Sequence, residues 1–376
     1  MTTLNVPLGE QSYDIIVEPG VLERAGSILA DLLGGSRGCR VMLVADAAVA
    51  ETHAERVAAS LEEAGFGVSF GTIEALEVNK SLDTMQALLE AASRERIDRS
   101  GAVVAVGGGI IGDLGGFLAS TWLRGIPVLQ VPTTLLAMVD AAIGGKTGVN
   151  LTLPDGVLGK NLVGAFWQPV GVLSDPGALE SLPRRERACG LAECVKHALI
   201  ADWSLLGSIR EGADELLGGG FRASSELIAR CAGIKVNVVG EDVREEAGPG
   251  GGVARAYLNL GHTFAHAIEP VPELGLKHGE AVALGLVAAG ACARALGHWT
   301  DAERSELEET LAACALPVRL DRQLDADGLL QRMGWDKKVR RGTLSIVVPT
   351  GRGRVELLEG PDRSLLLEGW RAVGAG

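Results

Sequence analysis

Half of the histidines of this 376-residue chain lie close together in the sequence. His262 and His266 are four residues apart in LNLGHTFAHAIE, and His278 follows in LKHGEAVALG, so three of the six histidines fall within 17 residues. Imidazoles one helical turn apart can bind one metal ion together, or one can bind the ion while the other acts as an acid or base. With a carboxylate, two imidazoles would form a three-ligand site that leaves a position open for substrate, as in catalytic zinc sites.

A carboxylate for such a site occurs in CGLAECVKHALI. Glu193 and Lys196 are three residues apart, on one face of an expected helix, among residues that would otherwise be buried. Buried charges need partners, so a purely structural role for this pair is unfavourable. The remaining histidines, His53, His197 and His298, have no such neighbours, and we expect them to be structural.

Cationic and amide side chains beside glycines or apolar runs form a third group. In a chain with a net charge of −13, their placement indicates a small polyanion held at several points, with phosphate plus carboxylate as the obvious pair. A surface location is the simpler interpretation of any one of them, and only the whole group indicates a bound polyanion. Its members are Arg124, Lys146, Lys160, Asn161, Lys235, Arg255, Asn259, Lys337 and Lys338.

A glycine-rich segment, VVAVGGGIIGDLGGF, places Gly107, Gly109 and Gly112 in a G-x-G-x-x-G spacing after an apolar run. Such a turn lets backbone N–H groups and a helix N-terminus approach a pyrophosphate, although it can also simply pack a helix on a strand. A dinucleotide is favoured because an acidic residue and two hydroxyls close other strands. The glycines follow a later strand than the first, which indicates a variant binding mode. The residues that close the other strands are Asp46, Thr133 and Thr134.

The elements that must position these residues divide the chain into two regions. Over the first 180 residues, β-branched runs such as RVMLVAD and GAVVAVGGG alternate with helical patterns at 54–64 and 82–92. This alternation predicts a parallel sheet with right-handed crossovers and a ligand crevice at the carboxyl ends of its strands. From about residue 181 the apolar spacing is helical, at 191–200, 223–236, 281–296 and 302–314, and a hairpin joined by Gly351 follows.

The predicted fold class is therefore α/β with two domains. Residues 1–180 would form a Rossmann-like parallel-sheet domain that binds a dinucleotide, and residues 181–376 a mainly α-helical domain that binds a metal.

Composition excludes several classes of partner. The net charge of −13 argues against general attraction to nucleic acid or to anionic membranes. The longest apolar stretch, 281–296, is shorter than the roughly 20 residues that span a bilayer. The six cysteines form no CxxC pair and the N-terminus carries no signal-like segment, so we expect a cytoplasmic protein with a small-molecule substrate.

Several of these motifs occur together in one known family. The stretch from GGGIIGDLGGF to IGGKTGVN resembles 3-dehydroquinate synthases, as do GKNLVGAFWQP, GLAECVK, LNLGHTFAHAIE, HGEAVALG and DKKV, in that order. The resemblance implies a lyase of the shikimate pathway of aromatic amino acid biosynthesis. Such an enzyme converts 3-deoxy-D-arabino-heptulosonate 7-phosphate to 3-dehydroquinate and phosphate, through transient oxidation by NAD, phosphate elimination, re-reduction and intramolecular aldol closure.

The resemblance also implies roles for individual residues. A metal ion, zinc or cobalt, would be bound by Glu193, His262 and His278, while Arg124 would reach the phosphate of a neighbouring subunit in a homodimer. NAD would be bound by Asp46, Glu77, Lys80, Gly107, Gly108, Gly109, Asp113, Thr133 and Thr134. The substrate would be contacted by Asp140, Lys146, Lys160, Asn161, Lys196, Lys235, Arg255, Asn259, His266, Lys337 and Lys338, with His266 as the proton shuttle.

Four alternatives remain open. Cyclases acting on sedoheptulose 7-phosphate resemble this chain but tend to have other residues in place of Lys235, Arg255, Asn259 and His266. Amino-dehydroquinate enzymes often have arginine in place of Lys196. An iron-dependent alcohol or glycerol dehydrogenase would share the architecture and release NADH, and a silent binding protein would bind no metal.

LTLPDGVL and GPGGG lengthen two segments relative to the resembled family, and we expect them to extend surface loops.

Overall fold

The computed structural model describes residues 1–35, 38–154, 156, 158–243, 254–334 and 343–376. They form two compact units, one of residues 1–182 with 224–236 and one of residues 183–223 with 237–376. The segment 224–236, which its apolar spacing assigned to the helical region, thus groups with the first unit.

The strands and helices follow one another in this order. The strands are β1 (Thr2–Val6), β2 (Tyr13–Val17), β3 (Arg40–Asp46), β4 (Gly67–Ile73), β5 (Ala102–Gly107), β6 (Val128–Pro132), β7 (Lys146–Thr152), β8 (Leu158–Phe166), β9 (Gly171–Ser174), β10 (Ser345–Gly351) and β11 (Arg354–Glu359). The α-helices are α1 (Ala25–Leu33), α2 (Glu55–Glu63), α3 (Leu82–Arg94), α4 (Gly109–Thr121), α5 (Arg184–Ala201), α6 (Ser204–Glu211), α7 (Ala213–Gly218), α8 (Phe221–Glu241), α9 (Ala254–Tyr257), α10 (His262–Ile268), α11 (His278–Ala295), α12 (Asp301–Ala313), α13 (Ala326–Met333) and α14 (Arg363–Ala372).

The first unit is built on a seven-stranded sheet with the order β1-β2-β9-β6-β5-β3-β4. Its neighbouring strands are parallel except β1 and β2, which confirms the predicted parallel sheet. Because β4 pairs with one side of β3 and β5 with the other, the chain reverses its direction across the sheet at this point. The carboxyl ends of β3 and β5 therefore flank the position where open α/β sheets bind ligands.

Helices cover both faces of this sheet, and the alternation of side chains along β3 shows how. Val41, Leu43 and Ala45 belong to a core that also contains residues of α1 and α2, whereas Met42 and Val44 belong to a second core with residues of α3 and α4. Successive strand residues point to opposite faces, so a strand between two helical layers must be apolar throughout. The continuous apolar run of this strand has that cause.

The second unit packs its helices around α11. That helix is buried over nearly its whole length, and it contacts α5, α10, α12, α14 and β10. It is rich in alanine and glycine, whose small side chains allow neighbouring backbones to come close. The helices predicted at 191–200, 281–296 and 302–314 correspond to α5, α11 and α12. No helix in the described part of the chain combines the length and the apolar character needed to cross a bilayer.

Some elements differ from the sequence predictions. The hairpin of β10 and β11 forms as predicted, but Gly351 ends β10 and the turn lies at Gly353, whose φ of +67° is in the left-handed region. The antiparallel pair β7 and β8 was not predicted, because β8 is rich in glycine and mostly exposed. Residues 151, 152 and 158 of the lengthened segment LTLPDGVL lie in this pair, whereas GPGGG lies outside the described residues.

Candidate active site

Glu193, His262 and His278 come together in the second unit. One ligand atom from each, a carboxylate oxygen and two ring nitrogens, lies within 4.8 Å of the others. The Nε2 atoms of His262 and His278 are 3.6 Å and 3.4 Å from the same oxygen, Oε1 of Glu193. Two imidazole nitrogens and one carboxylate oxygen form a donor set found in catalytic zinc sites, so these residues fit a divalent metal ion.

The other ring nitrogens of both histidines face oxygen acceptors. Nδ1 of His262 is 3.1 Å from the backbone carbonyl of Leu260, and Nδ1 of His278 is 3.4 Å from Oε2 of Glu269. An acceptor at Nδ1 favours the tautomer with the hydrogen there, which leaves the lone pair of Nε2 for a metal ion. Both imidazoles are thus oriented for ligation by atoms behind them.

A close approach of two glycines positions His262. Gly261, with a φ of +76°, immediately precedes α10 and lies against Gly285 in the middle of α11. A Cβ atom at Gly285 would be 2.1 Å from the carbonyl oxygen of Gly261, a separation that no side chain could occupy. Because glycine has no Cβ, the start of α10 can rest directly on the backbone of α11.

Lys196 is the ionic partner of Glu193. Its Nζ is 2.5 Å from Oε2 of Glu193, and both side chains are only 1% exposed, as expected for buried charges that need partners. Glu193 also acts on His278, together with Glu269. Enclosure by the protein lowers the pKa of His278, but hydrogen bonds to these two carboxylates outweigh that effect and raise the pKa to about 10.

His266 lies beside the three-residue cluster. It is one turn beyond His262 on α10, and the two rings are in edge contact with their centroids 5.7 Å apart. His266 is exposed, whereas Glu193 is buried and His262 and His278 are partly buried. An exposed imidazole next to a metal ligand can exchange protons with bound substrate and with water.

A second group of predicted residues lies at one edge of the sheet of the first unit. Asp46 ends β3, the turn of Gly107 to Gly109 joins β5 to α4, and Thr133 and Thr134 follow β6. The backbone N–H of Thr133 donates to the carbonyl of Gly107 at 2.9 Å, which ties two of these turns together. A Cβ at Gly108 would lie 3.1 Å from Thr134, so this bare backbone forms a cradle that suits a pyrophosphate at a helix N-terminus.

A partly buried network connects the turn at residues 77–80 to the hairpin of β7 and β8. Nζ of Lys80 is 2.5 Å from Oδ2 of Asp113 and also donates to Oδ1 of Asn161. The side-chain amide of Asn150, itself 2% exposed, donates to Oε1 of Glu77 at 2.8 Å and accepts from the N–H of Asn161 at 2.9 Å. Burial raises the pKa of Asp113, an effect that the neighbouring Lys80 opposes. Residues expected to bind NAD and substrate therefore share one network.

Two predicted anchors for the substrate are buried cations. Lys235 is 6% exposed; its Nζ pairs with the carboxylate of Asp140 and is 2.5 Å from the carbonyl oxygen of the same residue. Arg255, 2% exposed, donates to the carbonyl oxygen of Val243 at 2.5 Å. Cations this deeply placed interact strongly with any anion that reaches them, because little water screens them.

The other predicted residues occupy more open positions. Lys146 and Arg124 are exposed and Lys160 is half-buried, while Asn259 lies in the turn between α9 and α10. Arg124 has a φ of +69°, an unfavourable conformation for arginine. Lys337 and Lys338 lie outside the described residues.

Sequence reasoning missed Asn150 and Glu269. Each ends a motif that had been singled out for other residues, Asn150 in AAIGGKTGVN and Glu269 in LNLGHTFAHAIE. An amide at the end of an apolar strand is a signal of a buried hydrogen-bonding role, but its partners 11 and 73 residues away become known only from the fold.

Comparison with known proteins bears on the whole chain. Residues 71–189 match the family described as 3-dehydroquinate synthase N-terminal, and residues 190–339 match the one described as 3-dehydroquinate synthase C-terminal. The curated 3-dehydroquinate synthase of Gloeobacter violaceus is 44% identical over 358 residues, which cover 94% of each chain.

Solved structures of related cyclases share the fold. ValA, a 2-epi-5-epi-valiolone synthase from Streptomyces hygroscopicus with NAD+ and Zn2+ bound, is 27% identical with a TM-score of 0.84 over 96% of both chains. A 2-deoxy-scyllo-inosose synthase complexed with carbaglucose-6-phosphate, NAD+ and Co2+ is 26% identical with a TM-score of 0.85 over 98% of both chains. The predicted α/β fold, with a nucleotide-binding sheet and helical metal-binding region, is confirmed. The N-terminal and C-terminal models of 3-dehydroquinate synthase both match this chain, and a curated relative is 44% identical to it over nearly its whole length. The chain therefore belongs to the 3-dehydroquinate synthase family of lyases.

Proposed function

We propose that the chain converts 3-deoxy-D-arabino-heptulosonate 7-phosphate to 3-dehydroquinate and inorganic phosphate, the reaction of its family. The observation that carries the proposal is the 44% identity to a curated 3-dehydroquinate synthase over 94% of both chains. Residues at which related cyclases differ support it, since this chain keeps Lys196, Lys235, Arg255, Asn259 and His266.

The cofactors of the proposed reaction are NAD and zinc, with cobalt as a substitute, as bound in the two related cyclases. NAD would accept and return a hydride, and the metal ion would polarise the substrate oxygen at the oxidised carbon. Glu193, His262 and His278 hold the metal in our assignment, within the metal-binding region 181–376. The NAD-binding residues belong to the region 1–180: Asp46, Glu77, Lys80, Gly107, Gly108, Gly109, Asp113, Thr133 and Thr134.

Protein side chains would bind the two anionic ends of the substrate and move its protons. Lys146, Lys160 and Asn161 attract the phosphate in this assignment, because an ammonium group gains most from a dianion. Lys235 and Arg255 hold the carboxylate, and their burial favours a strong interaction. His266, exposed beside His262, carries protons, and Asp140, Lys196, Asn259 and the lysines Lys337 and Lys338 complete the set of substrate contacts.

We also propose a homodimer that works in the cytoplasm. Arg124 supports the dimer because its exposed side chain is carried on a turn in which Leu123, with a φ of +50°, and Arg124 itself both adopt left-handed conformations. Strain of this kind persists where the surrounding structure enforces it, often at functional positions. Arg124 would bind the phosphate in the neighbouring subunit's site.

The test of the proposed reaction is release of phosphate without net reduction of NAD. Purified protein with NAD and zinc should release one phosphate for each heptulosonate phosphate consumed, while absorbance at the NADH band stays flat. A steady rise of NADH would indicate a dehydrogenase instead. Release of phosphate from sedoheptulose 7-phosphate in preference to the heptulosonate phosphate would indicate another cyclase, and absence of release with metal present would refute the assignment.

The metal assignment has its own test. Glu193→Ala should lose both bound zinc and phosphate release, because two imidazoles alone make a weak site. His298→Ala is the matched control, since His298 is a partly exposed histidine that lies near Glu356 in the same unit. It should keep zinc and activity. Full activity of Glu193→Ala without zinc would contradict the assignment.

A further inference from the structure

An ion pair links the start of α5 to the start of α11. Arg185 donates from Nε and Nη2 to the two carboxylate oxygens of Glu280, each at 2.7 Å, and Nη2 also donates to the carbonyl oxygen of Gly275 at 2.8 Å. The planar guanidinium matches a carboxylate in this two-bond arrangement, which fixes direction as well as distance. Arg185 thus holds both the first turn of α11 and the loop that precedes it.

Glu280 at the same time caps the helix that it belongs to. Its Oε2 accepts from the backbone N–H of Lys277 at 2.8 Å, immediately before the start of α11. A second ion pair, between Lys277 and Glu186, runs alongside the first. His278 and Gly279 are the two residues between Lys277 and Glu280 in the sequence.

Backbone contact removes the remaining freedom between the two helices. Gly279 lies against Cys189 of α5, so close that a Cβ at Gly279 would be 2.4 Å from both the Cα and the carbonyl oxygen of Cys189. The helix start cannot move inward past this contact, and Arg185 prevents it from moving outward. The separation between the two helix segments is therefore set from both sides.

These contacts bear on the metal site because the same two helices supply two of its ligands. Glu193 lies further along α5, and His278 is the first residue of α11. We propose that Arg185 is a positioning residue, which fixes the start of α11 on α5 so that Nε2 of His278 faces the carboxylate of Glu193 at ligand distance. The inference rests on the proposed metal site and adds a residue that touches neither metal nor substrate.

An ion pair with a purely structural role would affect the free energy of unfolding and not metal binding. The side chain of Arg185 is 52% exposed, and exposed pairs contribute little to the free energy of unfolding. Metal sites, in contrast, tolerate displacements of only about 0.2 Å in ligand distance. Loss of Arg185 should therefore weaken metal binding far more than it lowers stability.

The chain offers a matched control on the same helix. Arg294, in the last turn of α11, pairs with Asp301, and its side chain is 47% exposed, close to the value for Arg185. Both are arginines on ion pairs at the surface, but only one is at the end that carries His278. Arg294→Ala should keep the zinc affinity of the wild type within about twofold, as expected for a residue remote from the ligands.

The experiment is a zinc competition titration against a chromophoric chelator, together with the visible absorption spectrum of the cobalt-substituted protein. Arg185→Ala should weaken zinc binding about 10- to 100-fold and alter the cobalt spectrum, with a nearly unchanged melting temperature of the apoprotein. Arg185→Lys should recover part of the affinity, because an ammonium keeps the charge but not the two-bond geometry. Glu280→Gln should also weaken zinc binding and serves if Arg185→Ala does not fold.

The outcomes separate the two proposals. Zinc affinity and cobalt spectrum equal to those of the wild type in Arg185→Ala and in Glu280→Gln would overturn the positioning role and leave the metal site intact. Equal weakening in Arg294→Ala would overturn it as well, since the effect would then be a general one. Failure of the wild-type protein to bind zinc would refute the metal site itself, and the positioning role with it.

Discussion

Gly285 should not tolerate even a methyl group, although it lies in the middle of a helix where alanine is normally favoured. A Cβ there would be 2.1 Å from the carbonyl oxygen of Gly261, and ordinary contact begins at 3.4 Å. In Gly285→Ala the start of α10 must therefore move about 1.3 Å away from α11, because a packed backbone has no other way to make room. His262 follows Gly261 directly and must move with it.

Two magnitudes follow from that displacement. Inserting a methyl group into a packed interior costs about 1–3 kcal/mol of the free energy of unfolding, partly offset by about 1 kcal/mol of helix propensity gained over glycine. A shift of about 1.3 Å far exceeds the roughly 0.2 Å within which metal–ligand distances vary. We expect zinc affinity to fall at least about 10- to 100-fold, the range for disturbed ligand orientation.

Gly207→Ala provides the control. Gly207 lies in α6, and a Cβ there would meet no atom within 4 Å, so this variant should gain about 1 kcal/mol of stability and bind zinc normally. The assays are urea denaturation of both apoproteins and zinc competition titration. If Gly285→Ala gained stability like the control and kept the wild-type zinc affinity, the close approach of Gly261 and Gly285 would not be what positions His262.

Two further predictions concern the first unit. Burial and the neighbouring Arg56 lower the pKa of His53 below its ordinary 6.5, so the folded state binds fewer protons than the unfolded chain, and the free energy of unfolding should fall as the pH drops below about 6.5. In urea denaturation between pH 5 and 7.5, His53→Gln should flatten this dependence, and an unchanged slope would contradict the reasoning. Asn150→Ala should lower the free energy of unfolding by about 1–3 kcal/mol and raise the KM for the heptulosonate phosphate, because it leaves the N–H of Asn161 without its acceptor. Asn79→Ala, which removes an exposed hydrogen bond of the neighbouring turn, should do neither, and equal effects of both variants would refute the role of Asn150.

Local patterns predicted much of the fold correctly. The strand β5 and the glycine turn after it follow from an apolar run and a G-x-G-x-x-G spacing, and α3 follows from the helical pattern at 82–92, all of which are properties of neighbouring residues. The order of the strands could not be predicted, because nothing in β3 indicates that β4 and β5 pair with its opposite edges. The pair β7 and β8 escaped for a related reason, since its strands are held by each other and carry little apolar signal of their own.

The candidate site divides in the same way. The clustering of three histidines, together with a carboxylate in an apolar setting, indicated a metal site, and the family resemblance selected Glu193, His262 and His278 as its ligands. The residues that orient these ligands could not be identified from the sequence. Glu269 and Arg185 are charged residues like many others on the chain, and their roles depend on contacts with partners 9 and 95 residues away.

The amino-acid sequence by itself determined the family, the chemical groups available and the alternation of strands and helices, because these depend on residue types and on short-range periodicity. Only the tertiary structure decided that the Nε2 atoms of two histidines face one carboxylate oxygen, that Asn150 joins Glu77 to Asn161, and that α5 and α11 meet at Gly279. Distances of a few ångströms between residues far apart in the chain result from packing, and packing is a property of the whole fold.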